Sequence, residues 1–402
     1  MQKTFKQTDK NYSYETELLR KGAYVNANVD NPEALPIYLT TAFNVEDLDD
    51  LMNRYAEKAF CYNRNRNPNR NALIELMSYT EHGEDSICCS SGMAAISTAI
   101  ISNLKAGDHV LSDRTLYGET IEIFTDILSE YGVETTFVDF TDLDQIRAAI
   151  RPETRMFYTE TVSNPMITVP DIEAIADIAH KSGAIFIVDN TFVTSVGFRP
   201  LDHGADIVVN SLTKFANGHS DAVCGAATGS AELIKKMYHT QLLLGSQSDP
   251  FSSWLVQRGM RTMQLRVEKQ MYNAAHLAAA LDKSPFVKHV NHPSLSTHPQ
   301  HDIAMREFGS GERICGMISI VLDDDLGKMN EFMHRLNLAH YAMTLGGYRT
   351  TLSHPVSSSH YDTPEEERLK MGITDGLLRI SVGIENTQEL IDDFMQALEV
   401  YR

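Results

Sequence analysis

The sequence predicts an α/β fold with a mostly parallel central sheet, followed by a smaller C-terminal α+β domain. Short, continuous apolar runs recur between residues 85 and 210, where half-exposed strands would alternate apolar and polar residues; such runs mark strands covered on both faces. Helical patterns separate these runs, and that alternation implies parallel strands joined by right-handed crossovers. The length of 402 residues exceeds that of one ordinary domain.

Residues 1–65 contain the breakers Pro32 and Pro36 and little periodicity, so they read as an N-terminal arm. Residues 66–260 read as the α/β domain. Asn71 to Tyr79 is helical, Asp85 to Cys89 is a strand, and a helix starts at Gly92. Further strands are expected at His109–Ser112, Glu134–Val138, Arg155–Tyr158, Ala184–Asp189 and Ala205–Asn210, with a helix at Ile172–His180. A helix-rich stretch covers about residues 231–281. Residues 261–402 then read as the α+β domain, with strands at Gly316–Leu322 and Leu377–Val382 and a closing helix near Gln388–Tyr401.

Composition narrows the function classes. A hydrophobic fraction of 43% and a charged fraction of 22% suit a globular protein that needs no disulfides to hold its core. The formal charge of -19 argues against nucleic acid, which requires clustered Lys and Arg. Five scattered cysteines make no disulfide framework, and Cys88 and Cys89 lie in an apolar run that predicts buried, inert thiols. Met1 to Tyr12 has no signal-like apolar stretch, and the longest apolar run, Met93 to Ile101, is too short to span a bilayer. A cytoplasmic location without membrane contact is the expectation.

Ligands of parallel sheets gather at the carboxyl ends of the strands. Three polar groups fall there. Asp189 closes one strand, while Ser211, Thr213 and Lys214 follow another. Ser90-Ser91-Gly92 joins a strand to a helix, and a helix N-terminus of small residues is a natural phosphate seat. Each feature alone has an ordinary explanation: a helix cap, a turn cap, a solvated lysine. Together they match the needs of pyridoxal 5'-phosphate (PLP): a lysine that forms a Schiff base, a carboxylate beside the ring nitrogen and a phosphate cradle.

The segment Asp206-Ile-Val-Val-Asn-Ser-Leu-Thr-Lys-Phe-Ala-Asn-Gly-His-Ser220 resembles the lysine signature of the Cys/Met-metabolism PLP enzymes, with Ala216 where a larger apolar residue is usual. The resemblance covers nearly the whole chain and implies the PLP-dependent transferase-like fold, fold type I (aspartate aminotransferase-like). Tyr62-Asn-Arg-Asn-Arg-Asn-Pro68 resembles a segment whose Tyr and Arg reach the cofactor phosphate of a neighbouring subunit. Tyr62 and Arg64 inherit that role by resemblance, as part of a homotetramer built from paired dimers.

Ser91-Gly92-Met93 resembles the phosphate loop, and Ser211 and Thr213 match phosphate ligands. Tyr117 stands where the family stacks a tyrosine on the ring and uses it in proton transfer. Glu160 and Asn164 match a Glu-x-x-x-Asn-Pro motif whose Asn contacts the ring hydroxyl, and Asp189-Asn-Thr191 matches the ring-nitrogen partner and its neighbours. Arg379, in Leu378-Arg-Ile-Ser-Val-Gly383, matches the clamp for the substrate α-carboxylate, a task suited to a planar fork. Thr344, Tyr62 and Glu119 complete the expected substrate-binding set.

These assignments imply a lyase that eliminates a γ- (or β-) substituent from a sulfur-containing amino acid, giving a 2-oxo acid, ammonia and a thiol. Lys214 and Tyr117 are the expected catalytic residues, with Lys214 removing the α-proton. A γ-replacement transferase and a non-catalytic PLP-binding protein are the alternatives. Substrate choice is less legible. Where relatives commonly carry other residues, this chain has Cys61, Glu119, Glu122 and Arg349. Glu119 and Glu122 lie one helical turn apart, so if both line the pocket they would suit a cationic distal group such as that of canavanine; otherwise Glu122 is simply solvated. The stretch from His292 to His301 is read as structural, with no metal expected.

Overall fold

The apolar runs of the first half assemble side by side into one seven-stranded sheet in the computed structural model, which describes residues 12–22, 32–359, 361 and 364–402. The strands are β1 (Asp85–Cys89), β2 (His109–Asp113), β3 (Glu134–Val138), β4 (Thr154–Glu160), β5 (Ile185–Asp189), β6 (Ile207–Ser211) and β7 (Gly225–Gly229). Their spatial order is β1-β7-β6-β5-β4-β2-β3. Strands β3, β2, β4, β5 and β6 are mutually parallel, and β7 runs antiparallel between β6 and β1.

Side chains explain the continuous apolar runs. Phe157, Phe186, Val188 and Val208 enter a core on one face with Leu73, Leu76 and Ile175. Their neighbours Met156, Tyr158, Ile187 and Val209 enter a second core on the other face with Ile96 and Ile100. Because successive strand residues point to opposite faces, burial on both removes the alternation. Each buried aliphatic or aromatic side chain contributes about 2 kcal/mol of transfer free energy.

Strand β7 was not expected, because Gly-Ala-Ala-Thr-Gly carries no strand signature. Its small residues answer to packing: a Cβ on Gly225 would collide with the carbonyl oxygen of Ser91. The N-terminal arm also holds more structure than its sequence suggests, with helices at Tyr14–Arg20 and Leu48–Ala56. The latter is capped by Asp47 and buries none of its residues, leaving Leu48, Met52 and Tyr55 exposed.

A second, five-stranded sheet follows, made of β8 (His289–Asn291), β9 (Met317–Val321), β10 (His340–Tyr341), β11 (Thr351–Ser353) and β12 (Leu377–Ser381), in the order β10-β11-β12-β9-β8. Its core contains Ile318, Ile320, Leu378, Ile380, Leu390 and Phe394. The helix Met263–Leu281 ties the two halves together: Met263, Val267 and Met271 pack in the first core, whereas Ala274, Leu277 and Leu281 pack in the last. Among the described residues, no helix is long and apolar enough to cross a membrane. Cys88 and Cys89 are fully buried, and burial pushes both thiols up, that of Cys89 to about 12.

Candidate active site

Parallel strands end together, and here β4 and β5 end on acids. Glu160 and Asp189 are direct neighbours in the register, and both are buried. Asp189 accepts a 2.9 Å hydrogen bond from the Thr191 backbone N–H, a turn that keeps the carboxylate at the sheet edge. No cation among the described residues pairs with it. Burial, together with the repulsion of its neighbour, holds Glu160 well above the usual carboxylate range, and burial raises Asp189 as well. Glu160 also ties two loops to the sheet, accepting from the backbone N–H groups of Tyr117 at 2.8 Å and Asn164 at 3.1 Å.

On the β6 side, Ser91 caps the helix Gly92–Asn103, its hydroxyl accepting from the Ala94 N–H at 3.0 Å. Gly92 and Met93 therefore occupy the positive end of the helix. Gly92 has no room for a side chain: a Cβ would lie 2.7 Å from the Cβ and 2.8 Å from the Oγ of Ser211. Ser211 in turn donates its N–H to Thr191 Oγ1 at 2.8 Å. The phosphate-loop residues are thereby linked through Thr191 to Asp189. The Thr213 hydroxyl accepts from the Cys224 N–H at 3.1 Å and donates to its carbonyl at 3.2 Å.

Lys214 follows at the end of this turn, where its N–H donates to the Ser211 carbonyl and its own carbonyl accepts from Gly218. The loop before β11 closes against it: a Cβ on Gly346 would come 3.0 Å from Lys214 Cα, and its φ of +78° suits glycine. Half-buried Thr344 lies two residues earlier on the same loop. Burial lowers the pKa of the Lys214 amine, and the charge of Arg379 lowers it further, while Glu119 opposes both.

Arg379 projects from β12 and is buried. Its Nη1 donates to Asn164 Oδ1 at 2.9 Å, yet no carboxylate among the described residues pairs with it. Burial brings its pKa down to about 10. Tyr117 precedes the helix Gly118–Glu122, and burial together with a hydrogen bond to Glu119 pushes its phenol above the ordinary value. The structure thus brings together Ser91, Gly92, Tyr117, Glu119, Asn164, Asp189, Thr191, Ser211, Lys214 and Arg379.

Other expected residues stand apart. Tyr62 is exposed and bridges to Ala42, and Arg64 donates to the Leu242 carbonyl at 2.9 Å. Arg349 is exposed and donates to the Tyr348 hydroxyl. His292 is fully buried, its ring bonded to Ser294 and to the Cys315 carbonyl. Two participants escaped the sequence reading. Tyr341 acts electrostatically on Arg379 from a two-residue strand too short to carry a pattern. Glu81 lies buried under the strand ends, accepting from Asn210 at 3.0 Å and Asn190 at 3.5 Å. Its only signal was an acid at the end of a helix.

Known proteins resemble this chain over nearly its whole length. The family described as Cys/Met metabolism PLP-dependent enzyme matches residues 15–399. L-methionine gamma-lyase of Fusobacterium nucleatum subsp. polymorphum is 37% identical over 398 residues, 97% of this chain and 99% of that protein. Cystathionine beta-lyase MetC of Bacillus subtilis (strain 168) is 38% identical over 391 residues, 97% of each. The crystal structure of cystathionine gamma-lyase from Lactobacillus plantarum complexed with L-serine superposes with a TM-score of 0.89 at 32% identity, covering 97% of this chain and 99% of that one. With sequence, fold and strand-end chemistry in agreement, this chain belongs to the Cys/Met metabolism PLP-dependent enzymes and uses PLP as its cofactor.

Proposed function

We propose that this enzyme is a carbon–sulfur lyase that removes the γ- (or β-) thiol substituent of an amino acid, releasing a thiol, a 2-oxo acid and ammonia. The observation that carries the reading is Arg379, a buried guanidinium with no carboxylate partner among the described residues, whose charge acts on Lys214. A planar fork in that state calls for a carboxylate ligand.

The residues fit PLP. Asp189, a buried carboxylate with no cation beside it among the described residues, suits a protonated ring nitrogen. The cradle of Ser91, Gly92, Met93, Ser211 and Thr213 suits the phosphate, Asn164 the ring hydroxyl, and Lys214 the covalent link. When bound, PLP supplies an electron sink that stabilises negative charge on the substrate's Cα.

The chain's own residues do the rest. Arg379 holds the α-carboxylate and so orients the Cα–H bond. Lys214, biased by burial and Arg379 toward its neutral form, would take the proton from Cα and, for γ-elimination, pass it on to C4′, so that the amine is neutral again before it takes another from Cβ. Tyr117 keeps its phenolic proton because burial and Glu119 oppose ionisation, and it donates that proton to the departing sulfur. A second copy of the chain completes the site in a homotetramer. The exposed Tyr62 and the unburied apolar face of Leu48, Met52 and Tyr55 support this reading.

Incubation with cystathionine tests the proposal and separates the two positions of cleavage. Scission at Cγ gives 2-oxobutanoate and cysteine, whereas scission at Cβ gives pyruvate and homocysteine. Both should vanish with Lys214→Ala, together with the yellow colour that borohydride fixes onto the protein. Absence of any 2-oxo acid from cystathionine or methionine, or full turnover without Lys214, would overturn it.

A further inference from the structure

Two faces of the sheet meet at the ends of β5 and β6, and only one of them carries the cofactor groups. Val188 and Val208 are register partners that point into the first core. Asn190 and Asn210 each stand two residues further along and continue that face, while Asp189 and Ser211, one residue away, point to the other. The contacts agree with this alternation. Ser211 lies against Gly92, at the head of the helix that carries Ile96 and Ile100 into the second core. Asn210 instead meets Glu81, which follows the helix Pro68–Thr80 with its Leu73, Leu76 and Met77 in the first core.

Behind the cofactor groups, Glu81 joins the two strand ends. Its Oε1 accepts from Asn210 Nδ2 at 3.0 Å, and its Oε2 accepts from Asn190 Nδ2 at 3.5 Å. The Glu81 N–H donates to the Met77 carbonyl at 3.0 Å, so the carboxyl projects from a fixed helix end. Asn190 is braced as well: its amide also donates to the Phe198 carbonyl at 2.8 Å, its Oδ1 accepts from the Thr161 hydroxyl at 2.9 Å, and its N–H donates to the Val209 carbonyl at 2.9 Å. Glu81, Asn190, Asn210 and Thr161 are all buried within one chain, so a second copy has no access to them.

From this geometry we infer that Glu81 is a positioning residue for PLP: acting through Asn190 and Asn210 from the reverse face, it fixes the spacing between Asp189, the seat of the ring nitrogen, and Ser211, a seat of the phosphate. The inference rests on the placement of PLP proposed above. Ring and phosphate are two ends of one molecule. Once one end is seated the other binds as a tethered group, and the gain depends on how well the two seats are spaced. Glu81 touches neither end; it preserves that gain.

Three ligands separate positioning from simple structural support. PLP needs both seats, whereas pyridoxal and inorganic phosphate need one each. Binding to the full-chain apoprotein is followed by absorbance for the two aldehydes and by calorimetry for phosphate. Glu81→Met removes both acceptors at similar length; Kd for PLP should rise roughly tenfold, while those for pyridoxal and phosphate stay within about twofold. Asn210→Ala should give the same pattern, and it carries the test if Glu81→Met does not fold. The double variant should bind PLP no worse than the weaker single one, since both cut one link. Glu81→Gln should recover most of the affinity, because its amide accepts from one asparagine and donates to the carbonyl of the other once that amide turns.

Unchanged PLP affinity in the folded variants, or equal weakening of all three ligands, would overturn the inference. The placement of PLP is checked separately. Ser211→Ala should weaken PLP and phosphate but spare pyridoxal, and Asp189→Asn should weaken PLP and pyridoxal but spare phosphate. If those patterns fail, the placement falls and the inference with it; if they hold, the Glu81 and Asn210 variants alone decide.

Discussion

Replacing Arg379 by methionine removes a charge while keeping most of the volume, and its consequences can be worked out in both stability and activity. Among the described residues the guanidinium makes one hydrogen bond, to Asn164. Losing it costs about 1.5–3 kcal/mol. Against this, a guanidinium whose pKa has fallen from 12.5 to about 10 is disfavoured in its charged form by about 3 kcal/mol, a penalty the substitution removes. The two nearly cancel, so thermal unfolding of Arg379→Met should stay close to wild type.

Activity should respond very differently. Two charge-assisted bonds to the substrate carboxylate amount to about 3–5 kcal/mol, or roughly 10²–10⁴ in kcat/KM. Arg266 is the control: equally buried and also lowered to about 10, it donates to the carbonyls of Phe215, Ala216 and Gly259 at 3.0, 3.0 and 2.8 Å. Arg266→Met forfeits these three bonds and a longer fourth, from Nε to Thr262 Oγ1 at 3.4 Å, against one penalty and should lose several kcal/mol. Calorimetry with steady-state 2-oxo acid release measures both quantities. If Arg379→Met unfolds as early as Arg266→Met while KM is unchanged, Arg379 is a structural arginine and the substrate clamp is wrong.

Three further outcomes follow from the same geometry. Asp189→Asn should weaken PLP binding yet stabilise the apoprotein at neutral pH; because the folded carboxyl titrates above its ordinary 3.8, its ionisation opposes folding, a penalty absent below that value and growing as pH rises through the folded pKa. Thermal scans of both apoproteins across pH 4–8 should therefore diverge with rising pH, by about 1–3 kcal/mol; parallel curves would mean that the carboxylate is not strained. Gly92→Ala should push the helix away from Ser211, costing about 1–3 kcal/mol by overpacking, and should weaken PLP binding measured by dialysis. Mixing inactive Lys214→Ala with inactive Tyr62→Ala should restore roughly a quarter of wild-type activity if subunits share sites, since each hybrid dimer regains one whole site. A mixture that stays inactive after confirmed subunit exchange would mean that Tyr62 serves its own chain or none.

The strand-end part of the candidate site was legible in the sequence because Asp189 and Lys214 each follow an apolar run. Asp189 terminates Ile-Phe-Ile-Val, and Lys214 follows Ile-Val-Val-Asn-Ser by a short turn. A strand buried on both faces announces itself by continuous hydrophobicity, and the first polar residue after it stands at the sheet edge. The N-terminal helix at Leu48–Ala56 was missed because none of its residues is buried against the described residues. Strand β7 was missed because its residues answer to the close approach of Gly225 and Ser91, a constraint carried by another part of the chain.

What the linear order of residues determined was the alternation of strands and helices, the polar groups at strand ends and hence the cofactor. Tertiary structure alone decided which distant groups meet. Arg379 reaches Asn164 across 215 positions because β12 of the second sheet lies against the loop that follows β4, and Glu160 lies against Asp189 because β4 and β5 pair in one register. Nor can a five-residue helix passing into a π-turn reveal its phase by periodicity, so the field of Glu119 on Lys214 emerges only from the packed chain. Local patterns record what each residue needs from its surroundings; long-range electrostatics and pairing record which residues supply it, and that is a property of the fold.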